Sequence, residues 1–395
     1  MAEPSAPLAG VRVVGVEQAI AAPLCTRHLA DLGADVVKVE RRGVGDFARH
    51  YDTTVNGLSS HFVWVNRGKR SITLDLKSPD GAAVLAALVD RADVLVSNLG
   101  PGAMDRLGYT PDRVRATHPT LVYCAISGYG ADGPYRTSRA YDGLLQAETG
   151  LLSITGTDEV PSKAGIPVAD IAAGMYALSS ILAALLRRGS TGEGAFSDVS
   201  LLDSLAEWMG YPLHYTVGGG TPPARSGAQH AAIAPYGPYA TRDGITLLIS
   251  VQNDREWRRL CTDVLGRPDL ADDSRFATNP DRVGHRDELC ALISDTFATR
   301  TAQQLEATLT EHGVAFGRQR DVAGLADHPQ LAARDRWQTA MTSAGPVDVL
   351  RSPLSIGTDT ATGAVPDLGA HTDEVLAELG YDAQRIVALR DAGVV

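Results

Sequence analysis

The chain of 395 residues predicts an α/β protein: a mostly parallel sheet with helices on its faces, followed by a second, smaller domain. Three observations carry that reading. Short β-branched runs alternate with helical repeats four times between residues 11 and 127, the pattern of successive βαβ units. Those runs are apolar throughout rather than on every second residue, as strands covered on both faces are. At residue 217 the composition turns abruptly to Gly, Pro and Ala, which marks a linker or binding loop.

The first strand is expected over residues 11–16, VRVVGV, followed by the loop EQAIAAP at 17–23 and a helix over 24–33 that closes on Gly33. Residues 35–40, DVVKVE, make the second strand. This opening invites a dinucleotide site with Glu40 on the ribose, but the turn after the first strand lacks GxGxxG, so a pyrophosphate has no close approach to the helix. An Arg- and Gly-rich loop, 40–50, leads to a strand over 72–76. Ser78 then caps a helix with Pro79 in its first turn and Val84, Leu85, Leu88 and Val89 as its apolar stripe. A strand over 93–99, a helix opened by Thr110 and Pro111, and a strand over 120–127 complete the series.

Residues 127–143, SGYGADGPYRTSRAYDG, form a long loop whose three tyrosines argue for function rather than disorder. Helical repeats follow at 144–152 and again from 168 to 189, the second apolar nearly all round, as in a buried central helix. A strand at 196–201 and a helix at 202–211 precede the composition change. The division is residues 1–216 for the first domain, 217–240 for the linker and active-site loop, 241–320 for the small domain, and 321–395 for a second linker and a return to the first domain. A β segment is expected over 347–357 and a loop-to-helix passage over 367–380.

Hydrophobic residues at 44% and charged residues at 21% are values of a folded globular chain. A net charge of -11 provides no sequence-wide attraction to nucleic acid or to anionic membranes. Cys25, Cys124, Cys261 and Cys290 are far apart and form no metal-ligand pattern, so the expectation is reduced thiols and no metal. No leader-like N-terminus and no run of roughly 18 apolar residues are read from the chain, and a cytoplasmic location is expected.

Residues 163–176, KAGIPVADIAAGMY, hold the most telling carboxylate. Asp170 sits where a long apolar helix begins. An acid there is either an N-cap for the free N–H groups of the first turn or a nucleophile, and the local spacing fits both.

Several segments together resemble the family III CoA-transferases, which include formyl-CoA and carnitine CoA-transferases and 2-methylacyl-CoA racemases. They are residues 22–46, 66–77, 96–108, 127–135, 140–151, 165–177, 234–240 with the Asp243–Gly244 turn, and 367–376, in one order across almost the whole chain. The resemblance implies a Rossmann-like large domain made from both chain ends, a smaller α+β domain, and two copies threaded through each other as an interlocked homodimer. It also implies Asp170 as the nucleophile. Gln18, Ala19 and Ala21 match positions lining the CoA and active-site cleft. Arg41 and Leu74 to Lys77 match the nucleotide end, Asn98, Arg106 and Arg139 the pantetheine and phosphates, and Tyr141 the thioester. Gly227 and His230 match a glycine-rich lid, less glycine-rich here.

The implied substrates are an acyl-CoA and a carboxylic acid, with no tightly bound cofactor. Arginines suit the anionic phosphates of CoA. Backbone N–H groups near Gln18 or Gly227 are expected as oxyanion donors, and Arg225 or Arg49 as the extra cation a short dicarboxylate would need. A competing reading is a racemase, which needs two bases; where relatives of that kind carry a histidine this chain has Tyr141, a poor base at neutral pH. A non-catalytic CoA-binding dimer is the third. His371 is read as structural, before a capping Thr372, and Trp208 as core.

Overall fold

The computed structural model describes residues 6–354 and 362–395. The chain divides into two compact units, one of residues 1–151, 164–213 and 332–395, the other of 152–163 with 214–331.

The first unit is organised by six strands: β1 (Arg12–Val16), β2 (Asp35–Arg41), β3 (Lys69–Leu74), β4 (Val94–Ser97), β5 (Val122–Ser127) and β6 (Ala195–Ser200). All neighbours pair in parallel, in the order β3-β2-β1-β4-β5-β6. That is the doubly wound order of nucleotide-binding folds, in which the chain reverses direction across the sheet between β1 and β4. Successive residues serve opposite faces. Val13, Val36, Val94 and Val96 belong to one core with Cys25, Leu29, Ala173 and Ile181, whereas Val14, Val37, Val39 and Leu95 belong to another with Val84, Leu85, Leu88 and Leu376. Burial on both faces is why these strands read as continuous apolar runs.

The helices of this unit are α1 (Ala21–Asp31), α2 (Ser60–Asn66), α3 (Pro79–Val89), α4 (Ala103–Arg106), α5 (Pro111–Thr117), α6 (Asp142–Glu148), α7 (Leu151–Ile154), α8 (Val168–Thr191) and α9 (Leu201–Trp208), with α7 running into the second unit. Ser78 accepts from Gly81 N and Thr110 from Arg113 N, so both caps form as expected. Helix α2 had no sequence signal; Asp52, eight residues ahead of Ser60, accepts from its backbone N–H and hydroxyl.

Helix α8 is the central core helix expected from its apolar pattern. Its 24 residues, with mean hydropathy 1.7, are long and apolar enough to cross a bilayer by length and composition. In the fold it is a core helix: Ala169, Ala172, Ala173, Ala177 and Ile181 are buried against α1 and the sheet.

The C-terminal stretch belongs to the first unit. His371 N donates to Ser71 O, and its Nδ1 accepts from Ser71 N, stitching the segment to the edge strand β3. His371 is therefore structural. Thr372 is not a cap but the first residue of helix Thr372–Glu378, its hydroxyl accepting from Thr73 N. The expected β segment forms as Gly345–Leu350, paired antiparallel with Trp337–Thr342; residues 355–357 of that expectation lie outside the described residues.

The second unit carries an antiparallel sheet, β7 (Tyr236–Ala240), β8 (Thr246–Ser250) and β9 (Ala315–Arg318) in that order, over a helical core centred on Trp257, Phe276, Phe297 and Leu305. The expected linker thus ends in a strand. Pro238 lies in β7, an edge strand, where a missing N–H is tolerated.

Candidate active site

The carboxyl ends of β1 and β4 meet at the switch point, Val16 pairing with Ser97. One residue past β4, Asn98 reaches back and grips the backbone of Gln18 on both sides: Oδ1 accepts from Gln18 N at 2.9 Å and Nδ2 donates to Gln18 O at 2.7 Å. Ala19 follows with φ of 61°, and its N–H donates to Asp46 Oδ1 at 3.0 Å. These bonds consume the amides of Gln18 and Ala19, so they do not serve as oxyanion donors. The Gln18 side-chain amide makes no hydrogen bond among the described residues.

Beneath this turn lies a buried charge cluster that the sequence did not announce. Lys38 Nζ contacts Asp46 Oδ2 at 2.9 Å and Glu17 Oε1 at 3.5 Å, and Lys69 Nζ contacts the same Glu17 oxygen at 2.7 Å, all four side chains being fully or nearly fully buried. Burial pushes the Glu17 carboxyl up, but Lys69 and Lys38 outweigh it and Glu17 titrates below its ordinary range. Burial pulls Lys69 down to about 8 despite Glu17. Glu40 accepts from Arg49 at 2.7 and 2.8 Å and from Ser71 at 2.6 Å; although burial opposes ionisation, these donors and Lys38 hold its carboxyl at about 2. It is therefore committed inside the fold and is no ribose ligand. Arg49 is likewise spent on Glu40 and stacked 3.7 Å over Phe62, which removes it as the cation for a dicarboxylate.

Asp170 is the third residue of α8, not its cap. Pro167 occupies the cap position and makes no side-chain bond. The cap comes instead from α6: Asp142 Oδ1 accepts from Ala169 N at 2.8 Å and from Asp170 N at 3.4 Å. Buried Gln146 secures Asp142 Oδ2 at 2.6 Å and receives Ala164 N at 2.8 Å, fixing the approach loop to α6. The Asp170 carboxylate accepts no hydrogen bond among the described residues. Burial raises its pKa, Asp142 adds to the rise, and together they bring it to about 7. Sequence reasoning missed Asp142 and Gln146 as the residues that hold the start of α8; their spacing of four on a helix was the available signal.

Tyr51 was also missed. It ends the short 3₁₀ turn Phe47–His50 that Asp46 caps, and packs edge-on against His61. Burial, then Asp46, Asp170 and Tyr141, lift its hydroxyl to about 12, so Tyr51 stands within electrostatic range of Asp170. Tyr141 itself is 63% exposed. Arg41, Lys77, Arg106 and Arg139 are exposed, with side chains unpaired among the described residues. Ala21 and Leu74 are core residues of α1 and β3, so neither offers its side chain to an open cleft. Trp208 is 49% exposed and is not the core residue expected.

Gly227 and His230 belong to the second unit. Gly227 has φ of 60° and donates to Gly156 O at 2.8 Å; His230 stacks on Tyr236 and its Nδ1 accepts from Ala232 N at 3.1 Å. Arg225 donates to the carbonyls of Thr157 and Asp158 at 2.7 and 2.6 Å. An open groove of about 1040 Å³ on this unit, bordered by Glu306, Phe316, Arg318 and His328, holds an Arg318–Glu306 pair and no activated nucleophile. Asp170, its carboxyl raised and accepting no hydrogen bond among the described residues, is a stronger candidate for a reactive group than anything bordering that groove.

A parallel sheet of this order, with its polar turn at the switch point, is the architecture of α/β proteins that hold nucleotide-bearing ligands. Residues 8–372 match the model of CoA-transferase family III. The chain is 36% identical to the succinate–glutarate CoA-transferase of Agrobacterium fabrum, over 94% of this chain and 96% of that one. It is 32% identical to human succinyl-CoA:glutarate CoA-transferase, over 98% and 90%. Among solved structures, a CaiB/BaiF family protein from Brucella suis superposes with a TM-score of 0.83 at 34% identity, covering 94% of this chain and 99% of that one. The chain belongs to CoA-transferase family III and is a CoA-transferase, an enzyme that uses acyl-CoA and carboxylate substrates.

Proposed function

We propose that Asp170 is the nucleophile of a CoA transfer from an acyl-CoA to a free carboxylate, by way of an aspartyl-CoA thioester. The observation that carries this reading is a carboxyl raised to about 7 that accepts no hydrogen bond among the described residues, at a helix start whose cap comes from Asp142. An ion relieved of structural duty and poorly solvated is a better nucleophile than one that caps.

An Asp170 carboxylate oxygen attacks the thioester carbonyl carbon; the C–S bond breaks and CoA leaves as thiolate, giving a mixed anhydride. The thiolate attacks the aspartyl carbonyl, the anhydride C–O bond breaks, and the donor acid departs as carboxylate. The acceptor carboxylate then attacks the aspartyl carbonyl, the C–S bond breaks and CoA leaves as thiolate, giving a second mixed anhydride; the thiolate attacks the acceptor carbonyl, the anhydride C–O bond breaks, and Asp170 is released as carboxylate. Each step exchanges acyl groups between similarly activated species, so the protein's task is positioning and exclusion of water. Arg41, Lys77, Arg106 and Arg139 are the proposed anion partners for CoA, and Gln18 and Tyr141 flank the thioester. The names of the two relatives above support a short dicarboxylate as acceptor. Two copies of the chain form the proposed interlocked homodimer, a reading supported by exposed Leu186, Tyr211, Leu213 and Val217.

Incubation with a panel of succinyl-, glutaryl- and longer acyl-CoAs plus hydroxylamine, followed by peptide mass spectrometry, is expected to find a hydroxamate on Asp170. Asp170→Ala is expected to lose at least about a thousandfold in exchange rate while keeping fold and CoA binding. Unchanged exchange in that variant sinks the proposal. Deuterium uptake from solvent at C2 of a 2-methylacyl-CoA would assign the racemase reading instead.

A further inference from the structure

Three non-glycine residues have positive φ among the described residues: Asn56, Asp335 and Ala19. Asn and Asp tolerate that region through local hydrogen bonds; alanine gains nothing there, so its conformation must be imposed from outside. The imposing groups are visible. Asp46 Oδ1 receives Ala19 N and also Ala48 N, while Oδ2 takes the Lys38 ammonium at 2.9 Å. The Asp46 N–H is in turn held by Glu40 Oε2 at 3.0 Å. Lys38 is 0% exposed and Asp46 3% exposed, so the clamp is charged and dry.

On the other side of the turn, Asn98 occupies both the N–H and the C=O of Gln18. With the flanking backbone spent in this way, the side-chain carboxamide of Gln18 is left without a hydrogen-bond partner among the described residues. Ala19 packs in one apolar cluster with Ile20, Leu24 and Ile171, the residue after Asp170, so the strained turn borders the start of α8. Strain held by a buried charge next to a reactive carboxyl is costly unless the conformation is used.

We propose that Asp46, backed by Lys38, is a positioning residue: it locks Ala19 in the left-handed region so that the Gln18 carboxamide is presented to the acyl group undergoing transfer. This rests on the assignment of Gln18 to the substrate cleft. It extends that assignment to a clamp that touches no substrate and acts only through the conformation of residue 19.

The test is a set of variants assayed for CoA exchange and CoA binding. Asp46→Asn is expected to lower kcat at least tenfold with the Kd for CoA within about twofold, because the charge that anchors the clamp to Lys38 is gone. Adding Ala19→Gly, which adopts positive φ without help, is expected to recover a large part of that loss. A purely structural Asp46 would gain stability from the glycine at most, without recovering kcat in the folded enzyme. Asp46→Asn is also expected to add little to Gln18→Ala, since both act on one group. Ala19→Val leaves the charge cluster intact but disfavours φ of 61°; it is expected to reproduce the kcat loss even if Asp46→Asn does not fold. Unchanged kcat in Ala19→Val, no rescue by Ala19→Gly, or full additivity with Gln18→Ala each overturn the clamp. The Asp170 hydroxamate is read separately in the wild type, so failure of the nucleophile and failure of the clamp remain distinguishable.

Discussion

A carboxyl that titrates near 7 has consequences at the scale of the single residue. Nucleophilic attack needs the ionised form, so kcat/KM for acyl-CoA is expected to rise with pH through an apparent pKa of about 7. In Asp142→Asn that limb should move to lower pH, because the second cause of the shift is removed while Oδ1 still caps α8; an unmoved limb would mean that Asp142 does not reach Asp170 electrostatically. The same shift makes a stability statement. Asp170 binds its proton more tightly folded than unfolded, where its ordinary value is 3.8, so its contribution is fully present below about pH 4 and is lost as pH rises through about 7. Asp170→Asn should remove that fall, and thermal melts at pH 5 and pH 8 should differ less for the variant than for the wild type. Identity and place of Asp170 were legible in the chain. Its freedom from capping was not, because the cap arrives from Asp142, 28 residues earlier, across a loop.

At the scale of elements, α8 is set by its contact with α1. A Cβ added at Gly174 would lie 2.7 Å from Ala21 O and 3.4 Å from Leu24, and the near atom is backbone that has nowhere to move. Alanine is the better helix former by about 1 kcal/mol, yet overpacking outweighs it here. Gly174→Ala is accordingly expected to cost a net ~1–3 kcal/mol in urea unfolding; a stabilised variant would show that α1 and α8 are not in this close contact. Local chemistry predicted the elements themselves well where it was self-contained. The α3 stripe and the caps Ser78 and Thr110 follow from neighbouring residues alone. It missed α2, whose start is held by Asp52, and β7, whose Pro238 is tolerated because the strand lies at an edge.

The whole molecule carries the remaining prediction. The exposed apolar residues on α8 and on helix Gly210–Val217 need a cover, and the homodimer reading supplies one. Sedimentation or light scattering is expected to give twice the 41.7 kDa chain mass, unchanged on dilution until the protein unfolds, since threaded chains separate only by unfolding. A monomer in dilute solution, still active, would remove the interlock.

The α/β class and most of the strand and helix pattern followed from the sequence by itself, because periodicity, β-branching and capping are properties of adjacent residues. The ordered segments resembling family III and the candidate acid were likewise present in the chain. Only the tertiary structure decided which polar residues are spent and which are available. Glu40, Arg49 and the Gln18 and Ala19 amides are consumed by partners in other elements, whereas the Asp170 carboxylate and the Gln18 carboxamide have no hydrogen-bond partner among the described residues. Hydrogen-bond satisfaction is a property of three-dimensional neighbours, and here it separates the residues that hold the site from those that can react in it.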